Sequence, residues 1–197
     1  MVRWGVGGNR TGGRAPRRDA PAGGTLRDQA TALRAAAEAF DLWQADRLSE
    51  AEPRYLEALA HADPRDSRTP DIHGQYAAVL TRLHRLAEAA LQYERALQLE
   101  LRNQPDERHP AVVAARYLLG EHYLRMGEAD SARRVVAPSL ESAEKPLGWI
   151  VEAEALLQCG STSDALAAAE RALSLSLSDE QRDRIRARFA ELWPAAR

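Results

Sequence analysis

The sequence is poor in several residues on which sites and covalent links often depend. Cysteine occurs once, as Cys159, so no disulfide can form within the chain, and we expect a buried structural thiol in a reducing compartment. No stretch approaches 18 apolar residues, which argues against a membrane span. No apolar run follows the N-terminal arginines, so we predict no signal peptide and a cytoplasmic location.

Valine and isoleucine are also scarce, which argues against a large sheet. Aromatic residues make up only 6% of the chain, while Ala, Leu, Arg and Glu, all strong helix formers, dominate it. Lysine occurs once, as Lys145, a bias that is typical of a GC-rich bacterial genome. The formal net charge of −2 indicates no general preference for nucleic acid.

Residues 1–26 differ from the rest because they are rich in Gly, Arg and Pro and have no apolar period. Such a segment buries too little apolar surface to offset its ordering entropy, so we predict disorder there. Its arginines allow a basic arm that contacts nucleic acid. A solvated tail or an unused upstream start is the favoured interpretation, and we expect no nucleic-acid partner.

Residues 27–193 have an almost continuous helical pattern, interrupted at intervals by Pro and Gly clusters. Four segments within it superimpose on a shared pattern. Small residues recur with spacings of 38, 43 and 33 residues, at Ala51, Ala89, Ala132 and Ala165. Further small residues precede them by twelve positions, at Ala39, Ala77, Gly120 and Ala153, and follow them by seven, at Ala58, Ala96, Ser139 and Ala172. Small side chains let helices approach closely, so we predict helix pairs that pack through these positions.

This pattern resembles the tetratricopeptide repeat family, whose second helix carries an early Ala, an aromatic four residues later, and then Ala-Leu. Tyr55 and Tyr93 supply the aromatic in the first two units. The long spacings are similar to the lengthened repeats of kinesin light chains. The resemblance implies a right-handed α-α superhelix of about four helix pairs. A C-terminal capping helix over residues 179–193 then covers the last unit, with its arginines on a solvated face.

Local motifs support these boundaries, and chemical motifs are missing. Ser49-x-x-Glu52 and Ser178-x-x-Gln181 match the capping box that begins a helix. The five histidines have no metal-ligand spacing with each other or with Cys159. The Gly-rich stretches lack the lysine of a phosphate-binding loop. We therefore predict no metal site, no cofactor and no enzyme activity.

The resemblance implies that the first helices of the pairs line a concave groove that binds a protein segment. Carrying the groove register over gives the predicted binding residues Phe40, Trp43, Arg82, Tyr117, Glu121, Arg125, Ile150, Glu154 and Gln158. The same register includes Ala36, Gly74, Ala78, Thr81, Leu124 and Leu157. Chaperone-tail binders need Lys and Asn at positions that here hold Ala36, Phe40, Gln75, Ala114 and Leu118, which excludes that class.

We therefore expect a protein–protein interaction scaffold or adaptor whose groove takes a segment with an apolar anchor and an acidic residue. Phe40, Trp43, Tyr117 and Arg125 are the expected hot spots, since aromatics and Arg dominate interface energetics. Two alternatives stay open. In the first, the chain is a regulatory sensor array associated with a bacterial kinase or transcription regulator. In the second, Phe40 and Trp43 pack against the N-terminal segment or a second copy of the chain and do not contact a ligand.

Overall fold

The fold is all helical in the part of the chain that the computed structural model describes, residues 28–140, 146–175 and 178–193. These residues form nine α-helices and a 3-10 turn at Ala190–Leu192, and no strand. The helices are α1 (Gln29–Gln44), α2 (Leu48–His61), α3 (Thr69–Arg82), α4 (Leu86–Asn103), α5 (Pro110–Arg125), α6 (Ala129–Leu140), α7 (Leu147–Gln158), α8 (Thr162–Ser174) and α9 (Asp179–Arg188). Four helix pairs and one further helix were predicted, which is confirmed. The predicted segment 1–26 lies outside the described residues.

Each helix pair is joined by the same tight turn. The second residue after the first helix has a left-handed backbone, and the N–H of the residue that follows it donates to a carbonyl five residues back, which satisfies a carbonyl at the helix end. The left-handed residues are Asp46 (φ 62°), His84 (φ 60°), Gly127 (φ 76°) and Gly160 (φ 77°). The bonds, each 2.9 Å, join Arg47 to Leu42, Arg85 to Leu80, Glu128 to Tyr123 and Ser161 to Leu156.

These turns correct one predicted helix start. Helix α2 begins at Leu48, directly after the turn, so Ser49 lies inside the helix and makes no capping box. The second predicted box is confirmed, because the Ser178 hydroxyl accepts from the Gln181 N–H and the Gln181 side chain accepts from the Ser178 N–H. Cys159 was predicted to be buried and is exposed, because it directly follows α7 in the turn to α8.

The recurring small residues lie at the helix contacts, as predicted. Ala51, Ala89, Ala132 and Ala165 are fully buried. A Cβ on Gly120 would come within 2.9 Å of a Val151 methyl carbon, so α5 and α7 meet more closely there than alanine allows. The core runs along the stack through Tyr55, Leu80, Val112, Val136 and Val151 and ends against Phe189, which follows α9.

Candidate functional site

Side chains from α1, α3 and α5 converge on one surface pocket of about 340 Å³, here called the central pocket. These helices are the first members of the first three pairs, and Tyr93 of α4 completes the pocket. Its residues are Trp43, Ala78, Thr81, Arg82, Tyr93, Tyr117, Leu118, Glu121, His122 and Arg125. Five of the nine predicted binding residues are therefore neighbours in space although they come from three helices.

A buried polar network forms one wall of the central pocket. The Nε2 atom of His122 lies 2.8 Å from the Leu86 carbonyl oxygen and must donate to it, since a carbonyl only accepts. Its Nδ1 atom lies 3.3 Å from the Thr81 hydroxyl. Burial lowers the pKa of His122, so the ring is neutral at pH 7. The Tyr93 ring packs at 5.2 Å from the imidazole. This wall is thus built from hydrogen-bonded polar and aromatic groups.

Three charged residues border the central pocket, and two of them are engaged elsewhere. Arg82 donates to Asp46, which lies in the turn after α1, at 2.5 Å. Glu121 accepts from Arg188 at 2.7 Å. Arg125 is exposed and makes no ion pair with any residue in the described ranges. Its guanidinium is the charge that the pocket offers to a ligand.

Arg188, which ends α9, lies on the first-helix surface of the third and fourth pairs. It contacts both Glu121 of α5 and Glu154 of α7, with Nε 2.8 Å from a Glu154 oxygen. Burial alone would lower the pKa of Arg188, but the two carboxylates outweigh it and raise the pKa. The α9 arginines were predicted to lie on a solvated face, and Arg188 is exposed, but it also pairs with carboxylates of two other helices, which was not predicted.

The remaining predicted residues have other contacts. Ile150 packs, partly buried, in the apolar cluster that contains Ile185 and Phe189. The Gln158 amide donates to the Leu124 carbonyl oxygen at 3.2 Å. Phe40 meets Trp43 edge to face at 5.5 Å and does not line the central pocket. Of the other groove-register positions, Ala36, Gly74 and Leu124 are buried.

Sequence reasoning missed Tyr93 and His122 as pocket residues. Tyr93 was assigned only to the packing position of its repeat. His122 shares a helix face with Leu118 and Arg125, four residues before it and three after it, and this spacing was a usable signal. No comparable signal linked Arg188 to the pocket, because it is 67 residues from Glu121 in the chain.

The described part of the chain offers no group of three or more His, Cys, Asp or Glu side chains that could hold a metal ion. In the same residues, no helix is both long and apolar enough to cross a membrane.

These features define a stack of helix pairs whose first helices share one surface, the architecture of helical repeat proteins. The family described as "Tetratricopeptide repeat" matches residues 68–145. Residues 68–145 therefore carry tetratricopeptide repeats, and the fold of the described residues agrees with the resemblance that the recurring small residues indicated. Repeats of this class form protein-interaction scaffolds.

Two solved structures have the same architecture. BtubC (BKLC) from P. vanneervenii has a TM-score of 0.65 at 19% identity, covering 85% of this chain and 82% of that one. MamA (41-end) from Desulfovibrio magneticus RS-1 has a TM-score of 0.59 at 15% identity, covering 82% of this chain and 93% of that one. At such identities the likeness establishes the fold alone. Among curated proteins, none is significantly similar to the chain.

Proposed function

We infer that the chain is a non-enzymatic adaptor that binds a protein segment in the central pocket. The observation that carries this is the convergence of Trp43, Tyr117 and Arg125, from two helices, on one open concavity. The pocket combines aromatic surface with a cationic rim, the composition found at interface hot spots. Such residues bury large areas at modest entropic cost.

The chemistry of the pocket defines the ligand. Arg82 and Glu121 are each neutralised by residues outside the pocket, which leaves Arg125 as the uncompensated charge. A carboxylate can pair with its guanidinium in forked geometry. Trp43 and Leu118, both partly exposed, offer apolar surface beside it. The expected ligand is a segment with an apolar or aromatic side chain and an Asp or Glu near it.

The test is to identify a partner by pull-down with the full chain and then measure its affinity for variants. Trp43→Ala and Arg125→Ala should each weaken binding about thirtyfold or more, since truncation of an interface hot spot costs about 2 kcal/mol or more. Leu91→Ala and Arg95→Ala are matched controls, because both are exposed on α4 and neither lines the pocket. They should bind as the parent does.

Replacing the acidic residues of the partner segment should mimic Arg125→Ala and should add little in combination with it. If Trp43→Ala and Arg125→Ala remain folded and bind with the parent affinity, the central pocket is not the binding site.

A further inference from the structure

Helix α9 contacts the rest of the protein as a bound ligand would, through one charged group and a few apolar anchors. The Arg188 guanidinium bridges two helices, because Glu121 of α5 and Glu154 of α7 accept from the same terminal nitrogen. All three side chains are partly shielded from water, with 34%, 20% and 33% of their surface exposed. Shielding strengthens the attraction relative to an exposed surface pair.

The apolar part of the contact is formed by a few large side chains. Ile185, Phe189 and Leu192, at helical spacing, are buried in the cluster that α7 and α8 provide. The other basic residues of α9 have partners in their own helix. Arg184 pairs with Glu180 and Arg186 with Asp183, whereas Arg188 reaches two other helices.

Helix α9 is only ten residues long, so its helical structure depends on docking. Isolated helices shorter than about 12–15 residues are marginal in water, so α9 depends on its contacts with the stack to remain helical. Undocking would expose Ile185, Phe189 and Leu192 and part of Trp193, and would break the ion pairs of Arg188 with two other helices.

The surface beneath α9 needs a cation. Glu121 and Glu154 lie close enough to contact one nitrogen atom, so without Arg188 two carboxylates would face each other and repel. Covering the end of the stack requires only the apolar anchors. A guanidinium that bridges α5 and α7 is an addition with the chemistry of specific recognition.

We propose that the surface formed by α7 and α8, together with Glu121 of α5, is an exchangeable docking site for an amphipathic helix that carries an arginine, and that α9 is its resident occupant. The partner presents Arg to Glu121 and Glu154 and apolar residues at the spacing of Ile185, Phe189 and Leu192. This site is distinct in charge from the central pocket, which offers Arg125. The two adjoin at Glu121, which belongs to both.

The test adds α9 in trans. The receptor is the full chain with Ile185→Ser, Arg188→Gln and Phe189→Ser, which prevents its own helix from docking. The probe is a labelled peptide that copies residues 178–193. It should bind this receptor at least about tenfold more tightly than it binds the parent chain, whose site is filled.

Matched peptides test the role of the arginine. A peptide with Arg188→Gln should bind at least about tenfold more weakly, since a partly desolvated charge pair is lost. A peptide with Arg184→Gln should bind like the unchanged one, because Arg184 pairs within its own helix. Adding Glu121→Gln and Glu154→Gln to the receptor should abolish the discrimination between Arg and Gln at position 188.

Equal binding of the two peptides that differ at position 188 would overturn the proposal. So would equal binding to parent and receptor, because the peptide would then be bound elsewhere. Hydrogen exchange on full chains keeps the proposal testable if the receptor does not fold. Arg188→Gln should accelerate exchange in α9 and leave α1–α4 unchanged, and Arg184→Gln should change neither. Unchanged exchange in Arg188→Gln would contradict the arginine site.

Discussion

At the scale of single residues, the small side chains were the most informative part of the sequence. Ala51, Ala89, Ala132 and Ala165 were predicted at helix contacts from their recurrence alone, and all four are fully buried. This was predictable because the approach of two helices restricts the side chain at the contact whatever the surroundings are. Arg188 was not predictable, because its long side chain can reach many partners and only the tertiary fold selects among them.

Gly120 allows a direct test of this close approach. A Cβ there would lie 2.9 Å from a Val151 methyl and 3.0 Å from a Val136 methyl, below ordinary contact. Gly120→Ala should therefore lower the free energy of unfolding by about 1–3 kcal/mol, the cost of overpacking a core. Urea denaturation of the parent and the variant measures it.

Val151→Ala supplies the control for Gly120→Ala. It removes the nearest methyl, so the double variant should be less destabilised than the sum of the two single variants. Additive losses would mean that the cost of Gly120→Ala arises at the second close contact, with Val136, and not at the contact with Val151.

At the scale of helices, the existence and pairing of the elements were predictable and their starts less so. The Ser178 capping box was identified correctly, whereas Ser49 lies inside α2. The difference is physical, because the turn at Asp46 closes α1 with a bond from Arg47 to Leu42 and starts α2 at once. A side-chain cap at Ser49 would have required a longer connection.

Two carboxyl groups, Asp71 of α3 and Glu100 of α4, are partly or fully shielded from water, which disfavours their charged forms. Burial, and to a lesser extent the charge of Glu100, raises the pKa of Asp71 to about 6. Burial also raises the pKa of Glu100, which is only 6% exposed. Between about pH 4 and pH 6 the folded chain retains a proton on Asp71 that the unfolded chain has released, so the contribution of this group to stability falls as pH rises through this window.

Glu100→Gln should flatten this pH dependence. The change removes one buried charge and its repulsion of Asp71, so the melting temperature at pH 7 should rise above that of the parent. Melting curves between pH 4 and pH 8, followed by circular dichroism, provide the measurement. Glu170→Gln, at an exposed position on α8, is the control, and its melting temperature should depend on pH as that of the parent does. A parallel curve for Glu100→Gln would show that these carboxyls do not govern the pH dependence.

At the scale of the whole molecule, the repeat architecture determined which predicted site residues meet. Trp43, Arg82 and Arg125 lie on consecutive first helices and converge on the central pocket. Ile150, Glu154 and Gln158 occupy the equivalent helix of the last pair, where α9 and neighbouring backbone engage them. The register of a repeat thus predicts convergence in the interior of a stack, while its end depends on what covers it.

The first pair, at the opposite end of the stack, leads to a prediction about residues 1–24. Helix α1 is capped by Asp28, whose carboxylate accepts from the Ala30 N–H at 3.1 Å and from the Thr31 hydroxyl. Gln29 accepts from the Asp63 N–H at 2.7 Å and ties α1 to the end of α2. Asp28 thus caps α1 from within the described residues, and we expect the first pair to remain folded without residues 1–24.

A chain that begins at Thr25 should therefore melt within a few degrees of the parent, by calorimetry at the same pH and salt. Asp28→Ala in the parent is the positive control. It removes the cap of α1 and should lower the free energy of unfolding by about 1 kcal/mol. This loss is the reference for the effect of losing a contact at the start of α1. If the shortened chain loses more stability than Asp28→Ala does, residues 1–24 pack against the repeats, and an occupant of the first-helix surface would have to displace them. If the two chains melt alike, the binding surfaces proposed at Arg125 and at Glu121 with Glu154 belong to the repeats alone. Any nucleic-acid binding that the shortened chain retains cannot come from the N-terminal arginines.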